Sequence, residues 1–512
     1  MSRALSRLSL RNVFQSRSVA MAAAQTQTQT QMPVQMPVRV QVQSKREGSI
    51  ADAFVSLSGG AREPLPRRFL DLKQTLIRGH ENRVIDSWNR LLVELVQENK
   101  SIIEKGPSII PNLNFKDLDT DLAKFRDEIK KRGVAVIRGV LPEEEARSFK
   151  DDIEEYVRLN PHTNAFPKDN PQVYELYWSA PQLRARSHPN MLRAQTALMK
   201  LWHMSDPNSP ISTSQPLAYA DRLRIRQPGD ATFALGPHVD GGSVERWELN
   251  GYGLGGVYEK VFDGTWEDFD PWDASARVPA VMNNYNGLGA ASMFRMFQGW
   301  LSMSTTKPFE GTLMVNPSMK LSTAYFLLRP FFEPVKDASQ VSPNEYLAAR
   351  NWKFAGSEMT SELQGATPGH GQELDTVLHP HLNLDRTMVH IPPIKPGDYV
   401  VWHCDTIHAV DKVHKGNSDS SVLYIPVCPV TELNSKYLVR QRQAFLDGTP
   451  GPDFPGGRGE ADHINRQTES SLRSYASAEG LRAFGFEKLV PAETDTNGAK
   501  NITSLANEIL SF

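Results

Sequence analysis

The chain has 512 residues, of which 39% are hydrophobic and 23% are charged, and its formal net charge at pH 7 is −2. This composition is typical of a soluble globular protein with one large domain or two, and it excludes a strongly basic nucleic-acid or membrane-surface protein. The two cysteines, Cys404 and Cys428, are too few for a disulfide scaffold or a thiolate zinc cluster and fit a reducing compartment. No apolar run reaches the ~18 residues of a membrane-spanning helix, so we expect neither a membrane nor nucleic acid as partner.

Residues 1–46 differ in composition from the rest of the chain. No Asp or Glu occurs before Glu47, and Arg3, Arg7 and Arg11 recur among leucines at a spacing of four. An acid-free, amphipathic start rich in Arg and Ser is typical of a mitochondrial presequence, and a disordered basic tail is the alternative. We therefore predict a targeting or disordered segment, and a location in the mitochondrial matrix or the cytoplasm.

A helical region is predicted for residues 47–205. Within it, residues 82–100 place apolar side chains at i, i+3, i+4 and i+7, which predicts one buried helix face. The segment 133–140 is β-branched and bounded by glycines, so it predicts the first strand beside the following β-rich region. A helix over 141–159 follows, because Pro142 and the glutamates after it suit a first helical turn.

Residues 206–435 change to short strands separated by turns rich in Gly, Pro, Asn and Asp. Many short strands with few helices favour a sandwich or barrel, so the predicted fold class is mainly β with flanking helices, an α+β arrangement. Two irregular stretches, 244–290 and 335–385, have the character of inserted loops or lids, and 436–512 is predicted to be a C-terminal helical and loop extension. The candidate strands are Arg222–Gln227, Phe233–Asp240, Met293–Ser304, Gly311–Val315, Ala324–Phe332, Asp398–His403 and Ser421–Val427.

The motif His238-Val-Asp240-Gly-Gly supplies two candidate metal ligands. In a strand, residues i and i+2 project from the same face, so both side chains can reach one ion. Two histidines and one carboxylate commonly bind non-haem iron(II) and leave positions open for other ligands. His408, just beyond an apolar strand, is the candidate third ligand. The alternative for each histidine is a hydrogen-bonded structural role.

His-x-Asp alone is a weak signal, because a second match, His403-Cys-Asp405, lies close to the third candidate ligand. Gly241 and Gly242 distinguish the first match, since glycines allow the backbone to bend tightly beside a site. His403 lies within the predicted strand, before its bend. We therefore predict that it packs, or orients a ligand, instead of binding the metal.

Together these motifs resemble the iron(II)/2-oxoglutarate-dependent dioxygenases, especially the phytanoyl-CoA hydroxylase-like branch. The matching features are a strand and helix at 133–146, the His-x-Asp motif, a Gly-Thr-Leu strand at 311–313 and a Gly-Asp…His-x4-His run at 397–408. Further segments are similar to the uncharacterised oxygenase-like family catalogued as domain of unknown function 1479: Tyr177–Gln182, Phe297–Leu301, Glu310–Leu313 and Leu328–Phe332. The resemblance covers about 65–460.

The resemblance implies a double-stranded β-helix, a jelly-roll or cupin-like barrel, in residues 206–435. It implies that His238, Asp240 and His408 bind iron(II) and are the catalytic residues, with 2-oxoglutarate as cosubstrate. The implied reaction uses O2 to hydroxylate an unidentified small molecule, with succinate and CO2 as coproducts. It implies neither the substrate nor the oligomeric state.

One departure concerns the cation for the distal carboxylate of 2-oxoglutarate, usually an arginine on the final strand of these enzymes. That strand, 420–427, contains neither Arg nor Lys. Arg222, Arg224 and Arg226 are candidate replacements because they alternate on one strand face, and Arg226 is preferred as the nearest to the metal motif. The alternative is an exposed edge strand whose charges discourage aggregation. Weaker candidates, expected on a middle strand, are Lys320 and Arg329.

The missing final-strand cation favours an alternative function, a cupin-like metal-binding protein or dioxygenase that does not use 2-oxoglutarate. A non-catalytic binding protein that kept the barrel is a third interpretation, which the intact ligand set disfavours. A zinc hydrolase would use the same ligand types but has no supporting motif. The arginines alone suggest a small organic acid or an amino-acid-like metabolite as the substrate.

Overall fold

The computed structural model describes residues 45–58, 63–288 and 290–512. The predicted targeting segment, 1–46, lies almost entirely outside the described residues, so it stays a prediction, as does the compartment. Among the described residues, none of the helices combines the length and apolar character that crossing a membrane requires.

Helices flank β-sheets throughout the described chain. The α-helices are α1 Val55–Ser58, α2 Arg68–Ile77, α3 Glu81–Lys105, α4 Leu118–Arg132, α5 Glu143–Leu159, α6 Ala180–Ser187, α7 Pro189–Met199, α8 Glu259–Phe262, α9 Met319–Leu328, α10 Pro343–Tyr346, α11 Leu384–Thr387, α12 Glu432–Asp447, α13 Glu469–Tyr475, α14 Ala478–Ala483 and α15 Asn497–Ile509. The strands are β1 Asn112–Asn114, β2 Val134–Arg138, β3 Ala165–Phe166, β4 Val173–Tyr174, β5 Ser212–Leu217, β6 Leu223–Arg226, β7 His238–Val239, β8 Phe297–Ser302, β9 Leu313–Val315, β10 Phe332–Pro334, β11 Trp352–Phe354, β12 Gln372–Glu373, β13 Val389–His390, β14 Tyr399–His403, β15 His408–Val410, β16 Ser420–Tyr424 and β17 Cys428–Val430. The protein is therefore mixed α/β, with more helix than the predicted mainly-β class.

Two larger sheets organise the centre of the molecule. One has eight strands in the order β1-β2-β14-β8-β16-β6-β4-β3, and the other has five in the order β12-β7-β15-β9-β13. The chain alternates between them, since β6, β8, β14 and β16 belong to the first sheet and β7, β9, β13 and β15 to the second. This alternation makes strands that are distant in the chain direct neighbours, as β7 and β15 are.

The amphipathic helix predicted over 82–100 is confirmed as α3. Its apolar stripe is buried, and the helix packs against α9. Trp88 from this stripe stacks on Phe332 with 4.4 Å between the ring centroids. The predicted strand at 133–140 and the helix at 141–159 are also present, as β2 and α5.

Most of the predicted strands in the central region are present, with shorter bounds, but the strand at Ala324–Phe332 is wrong. Its residues form the end of α9, a single helical turn and the first residue of β10. Phe326, Leu327 and Leu328 are all fully buried. A helix that is buried on every side gives the same uninterrupted apolar run as a buried strand, so periodicity could not separate them.

The irregular stretch at 244–290 is present but is closely packed. It consists mainly of turns and short helical segments. Trp247, Tyr258 and Trp272 within it are each at most 3% exposed and belong to the main hydrophobic core. The stretch is therefore part of the core packing instead of a detached lid. The predicted domain boundaries stay predictions.

Candidate metal centre

Two neighbouring strands of the five-stranded sheet, β7 and β15, bring the three predicted ligands together. His238 lies directly opposite His408 in their antiparallel pairing, and Asp240 follows one residue after the end of β7. Nε2 of His238 is 3.7 Å from Oδ1 of Asp240, and Nε2 of His408 is 3.7 Å from Oδ2. The candidate ligand atoms all lie within 4.8 Å of one another. This geometry allows the three side chains to hold a single metal ion.

The hydrogen bonds of the two imidazoles orient the correct ring nitrogens for metal binding. Nδ1 of His238 is 2.8 Å from the carbonyl oxygen of Gly236, and Nδ1 of His408 is 3.0 Å from that of Thr406. Because a carbonyl oxygen only accepts, each Nδ1 carries the proton and each Nε2 keeps a lone pair. A backbone carbonyl behind the ring is also the usual device that fixes a metal-binding imidazole. The donor set therefore fits a metal.

Burial and charge favour the deprotonated forms of these ligands. Burial and the neighbouring His238 lower the pKa of His408 to about 3. Burial by itself would raise the pKa of Asp240, yet this pKa is held below its ordinary value by surrounding groups, those of His408, His238, Arg295 and Arg222. Metals bind neutral imidazole and ionised carboxylate, so these shifts favour the metal-binding forms of His408 and Asp240.

Gly241 and Gly242 turn the chain directly after Asp240. Their φ angles are +89° and +82°, in the region that only glycine adopts easily. A Cβ on Gly242 would also lie 2.5 Å from the carbonyl oxygen of Met282. The tight bend predicted beside the site is therefore present, and Gly242 is required for it.

The second match, His403-Cys-Asp405, is not available to a metal. Nδ1 of His403 accepts a hydrogen bond from the backbone N–H of Asp405 at 3.0 Å. Its Nε2 is 3.0 Å from the carbonyl oxygen of Pro271 and therefore carries the proton. The ring stacks on Trp202 with 4.8 Å between centroids. Both nitrogens are engaged, so His403 packs and does not bind a metal, as the sequence predicted.

Asp405 supports the site through Arg246, a connection that the sequence did not reveal. The buried Arg246 guanidinium donates to the Asp405 carboxylate at 2.9 Å and to the backbone carbonyl of Asp240 at 2.6 Å. Arg277 forms a second ion pair with Asp405. This network fixes the backbone that carries the carboxylate ligand.

The triad opens into a cavity between the two sheets. Four strands of the eight-stranded sheet contribute Arg224, Gln298, Trp300, Trp402, Val422 and Tyr424, and Arg222 directly precedes one of these strands. The five-stranded sheet contributes Leu313, Val410 and the triad histidines, and the N-terminal residues Ile50, Ala53 and Phe54 complete the wall. The ring of Phe54 meets His238 edge-on at 4.8 Å. Nothing in the sequence near Phe54 pointed to this role.

The three predicted arginines lie in, or directly before, a buried strand. Arg222, Arg224 and Arg226 are 7%, 4% and 0% exposed. Arg224 and Arg226 belong to β6, which lies between β16 and β4, so the alternative of an exposed, charged edge strand is wrong. Arg222 and Arg224 line the cavity, whereas Arg226 does not.

The preference for Arg226 is not supported by its surroundings. Its Nε donates to the carboxylate of Asp230 at 2.6 Å, and its other nitrogens donate to the carbonyl oxygens of Asp411 and Lys412 at 2.6 and 2.9 Å. Arg226 is close to the metal motif in the sequence, but this closeness does not bring its side chain into the cavity. The loop after β6 folds back over Arg226 and supplies a hydrogen-bond acceptor to its guanidinium.

The two weaker cation candidates also lie away from the cavity lining. Lys320 is on α9 and donates to the carbonyl oxygen of Glu267 at 2.6 Å. Arg329, just after α9, donates to the carbonyl oxygens of Leu378 and Phe332. Both residues were expected on a middle strand, but this part of the chain is helical. The strand predicted at Ala324–Phe332 was wrong for the same reason.

Arg295 is a cavity residue that the sequence prediction missed. It precedes β8, is 8% exposed, and places a guanidinium nitrogen 3.9 Å from Oδ2 of Asp240. The available signal was a single charge within the apolar run Met293-Phe-Arg-Met-Phe297. An isolated charge in a buried segment requires a partner or a ligand.

Comparison with known proteins shows the family to which the chain belongs. The family model described as Gig2-like matches residues 63–486. The chain belongs to the Gig2-like family. Among Gig2-like structures, GlcNAc Inducible Gene 2 of Candida albicans, assigned to domain of unknown function 1479, is 33% identical, with a TM-score of 0.77 over 88% of this chain and 96% of that one. This confirms the resemblance to domain of unknown function 1479.

Two bacterial relatives extend the comparison. The uncharacterised protein YbiU of Escherichia coli K12 is 32% identical over 423 residues, which cover 80% of this chain and 93% of YbiU. A Salmonella typhimurium LT2 protein provisionally named an oxidoreductase is 29% identical, with a TM-score of 0.68 over 83% of this chain and 99% of that one. The Candida and Salmonella structures therefore match this fold over nearly their whole length.

Proposed function

We propose that this protein is an iron(II)- and 2-oxoglutarate-dependent oxygenase, built on a double-stranded β-helix and related to the phytanoyl-CoA hydroxylase-like branch, that acts on a small molecule. The observation that carries the proposal is the convergence of His238, Asp240 and His408 at the wall of a cavity, with both Nε2 atoms directed at the carboxylate. Two imidazoles and one carboxylate are the ligands of non-haem iron(II) oxygenases.

The strand order supports the barrel assignment. The strands β14-β8-β16-β6 of one sheet and β7-β15-β9-β13 of the other alternate along the chain, as in a jelly roll of eight strands. In such a barrel the metal ligands come from the inner face, and side chains of the opposite sheet face them across the cavity. The cavity lining follows this pattern.

When bound, iron(II) and 2-oxoglutarate supply the coupling of O2 reduction and keto-acid decarboxylation to hydroxylation of a C–H bond. The protein's contribution is to hold the ligands, position a carboxylate and exclude water. His238 and His408 offer neutral imidazole nitrogens, and Asp240 offers the single negative charge of the site. Phe54, packed on His238, shields this side of the cavity from solvent.

Arg224 is the proposed partner of the distal carboxylate of 2-oxoglutarate. It lies on the inner face of β6, directly opposite Val422 of β16, the strand on which these enzymes usually place the cation. Its guanidinium donates to Gln172 and to the carbonyl oxygen of Phe233, and among the described residues no carboxylate lies within ion-pairing distance. A buried arginine without a counter-charge favours binding of an anion.

The proposal is tested by anaerobic titration of the purified protein with ferrous iron and 2-oxoglutarate. A chelated keto acid on ferrous iron produces a visible charge-transfer band, and succinate release in air should follow. We expect His238→Ala and His408→Ala to lose the band. His370→Ala is the matched control, because His370 lines the same cavity but lies outside the triad, and this variant should retain it.

The same titration distinguishes the proposed function from the alternative function. The inward-facing residues of β16 are Ser420, Val422 and Tyr424, without a cation, which favours a metal-binding protein or dioxygenase that does not use 2-oxoglutarate. That protein would bind ferrous iron with the same dependence on the triad but develop no band with 2-oxoglutarate. A wild-type protein that binds no divalent metal would contradict both functions.

A further inference from the structure

The cavity contains one arginine that neither the metal nor the cosubstrate would satisfy. Arg222 already has carboxylate neighbours, since its Nε is 3.3 Å from Asp221 and its Nη1 is 3.7 Å from Glu175. Arg224 is assigned above to the cosubstrate. Arg295 remains. The contacts of Arg295 therefore indicate which further ligand the cavity can bind.

Arg295 is a buried cation with few interactions of its own. Its guanidinium lies over the ring of Tyr219, 5.4 Å from the centroid, and 3.9 Å from one carboxylate oxygen of Asp240. Among the described residues it donates no hydrogen bond within normal distance, whereas Arg226 and Arg246, which are also buried, each donate several. A planar guanidinium has five N–H donors, so most of this capacity is unused.

Two carboxylates act on the charge of Arg295, Asp240 and Asp221, and the one within ion-pairing distance, Asp240, is also a candidate metal ligand. The separation of 3.9 Å between Arg295 and Asp240 is longer than a charge-assisted hydrogen bond. Once the carboxylate of Asp240 binds a cation, less of its charge is available to the arginine. Asp221 is shared with Arg222, and among the described residues three arginines and two aspartates line the cavity, so a cavity with Asp240 bound to a metal favours an entering anion.

We propose that Arg295 binds an anionic group of the substrate, a carboxylate or a phosphate, beside the metal site. This inference rests on the proposed function, because it assigns Asp240 to the metal and the cosubstrate to Arg224. Arg295 and Arg222 lie over neighbouring rings, Tyr219 and Phe454, whose centroids are 5.7 Å apart. The two guanidinium groups thus sit on one aromatic surface in the same part of the cavity.

The apolar part of the cavity lining indicates the other part of the substrate. Leu235, Trp300, Leu313 and Trp402 present apolar side chains to the same space. Such a surface binds hydrocarbon or aromatic groups, while a few polar groups fix orientation. The substrate class is therefore a small organic anion with an apolar body, whose charged end lies near Asp240.

The inference is tested with three probes of nearly equal shape: phenylacetate, phenyl phosphate and the neutral phenylacetamide. Their affinities are measured by calorimetric titration of full-length protein with Mn(II) and saturating 2-oxoglutarate, without turnover. The wild type should bind at least one anion more tightly than the amide. The preference should be weaker without Mn(II), because Asp240 then remains the partner of Arg295. Which anion is preferred separates a carboxylate substrate from a phosphate.

Substitutions at Arg295 and Arg224 test which arginine gives the anion preference. Arg295→Gln should reduce the affinity for the preferred anion by about tenfold to a hundredfold, the loss expected for a charged hydrogen-bond partner, and leave amide binding nearly unchanged. Arg295→Lys should recover part of it. Arg224→Gln should instead weaken 2-oxoglutarate, read from the charge-transfer band, and Arg295→Gln should not.

Three results would overturn the inference. The first is a wild type that binds neither anion more tightly than the amide, a comparison that requires no variant to fold. The second is an unchanged preference in Arg295→Gln, which would mean that the anion binds the metal directly. The third is an equal loss of 2-oxoglutarate affinity in Arg295→Gln, which would make Arg295 a cosubstrate residue. A wild type without the charge-transfer band, but with an anion preference that Arg295→Gln removes, would contradict the proposed function and leave the role of Arg295 supported.

Discussion

His403 and His408 are five residues apart, and their different hydrogen bonds give them opposite roles. We expect His408→Ala to abolish stoichiometric Mn(II) binding, because one of three ligands is lost. His403→Ala should keep the stoichiometry but lower the free energy of unfolding by about 2–4 kcal/mol, since a stacked, doubly hydrogen-bonded ring is removed. Metal analysis after dialysis and urea unfolding measure the two effects. Loss of metal from a natively folded His403→Ala protein would contradict this assignment.

Arg226 allows a second test at a single residue. Arg226→Met should lower the free energy of unfolding by about 3–5 kcal/mol, because the buried carboxylate of Asp230 loses its partner. The affinity of the folded protein for 2-oxoglutarate should stay close to that of the wild type. Urea unfolding and the ferrous titration measure these quantities. Adding Asp230→Asn should restore part of the stability, and a weakened 2-oxoglutarate complex in folded Arg226→Met would reinstate Arg226 as the cosubstrate residue.

The sequence predicted the candidate ligand residues, which the fold brings together, better than it predicted their surroundings. His238 and Asp240 were recognisable because the alternation of a strand places i and i+2 on one face, and local spacing is visible in a sequence. Arg295 and Phe54 enter the cavity from segments with no local motif, so only the tertiary fold brings them to the metal ligands. The cation preference failed for a related reason, since the acceptors that occupy Arg226 include carbonyl groups nearly two hundred positions away.

At the scale of elements, the short glycine turn after β7 should tolerate substitution poorly. Gly242→Ala should destabilise the protein by about 2–4 kcal/mol, from the positive φ and the contact of the new Cβ with the backbone of Met282. It should also weaken Mn(II) binding, because relief of the contact displaces Asp240. Urea unfolding and metal titration test both effects.

Gly236→Ala is the matched control for this prediction. Gly236 lies on the other side of His238, and a Cβ there would meet no atom within 4 Å. Its carbonyl bond to the His238 ring uses the backbone and survives the change. Equal destabilisation by the two substitutions would contradict the role given to the turn.

Among the helices, the sequence predicted α3 well because its pattern has one exposed face. The helix α3 has a polar side and a buried side, and its 25 residues display the helical period several times. The run within α9 lacks an exposed side, and β7 has only two residues because Gly236 and Pro237 precede it. The short strands β12, β13 and β15 are held by their neighbours in the sheet, so their own sequences carried little signal.

At the scale of the whole molecule, the site depends on the closure of two sheets. His408 is 170 positions from His238 in the sequence but pairs with it across a single ladder. A metal bound at this junction would connect β7 to β15 and stabilise the folded state by mass action. The ligand geometry is therefore a property of the assembled sheets, and the metal-free fold must maintain it with neutral, buried histidines.

Those histidines make the metal-free fold sensitive to acid. Burial lowers the pKa values of His381, His403 and His408 from the ordinary 6.5 to about 3. Below pH 6.5 the unfolded chain therefore binds protons that the folded chain does not bind until about pH 3. The stability that these residues contribute is present above this window and is lost as the pH falls through it. Glu460 acts in the opposite direction, because burial raises its pKa to about 7.

His381, His403 and His408 are among six described histidines with a lowered pKa, against three described carboxyl groups with a raised pKa, so the free energy of unfolding should decrease as the pH falls from about 7 to about 5. Urea unfolding in the presence of a chelator measures this dependence. His381→Phe removes one of these histidines without touching the metal site, and its slope should be shallower by about one proton. Saturating Mn(II) should raise the free energy of unfolding across this range without making the slope shallower, because the unfolded chain still takes up its protons. A slope that does not change in His381→Phe would show that the acid sensitivity arises elsewhere in the fold.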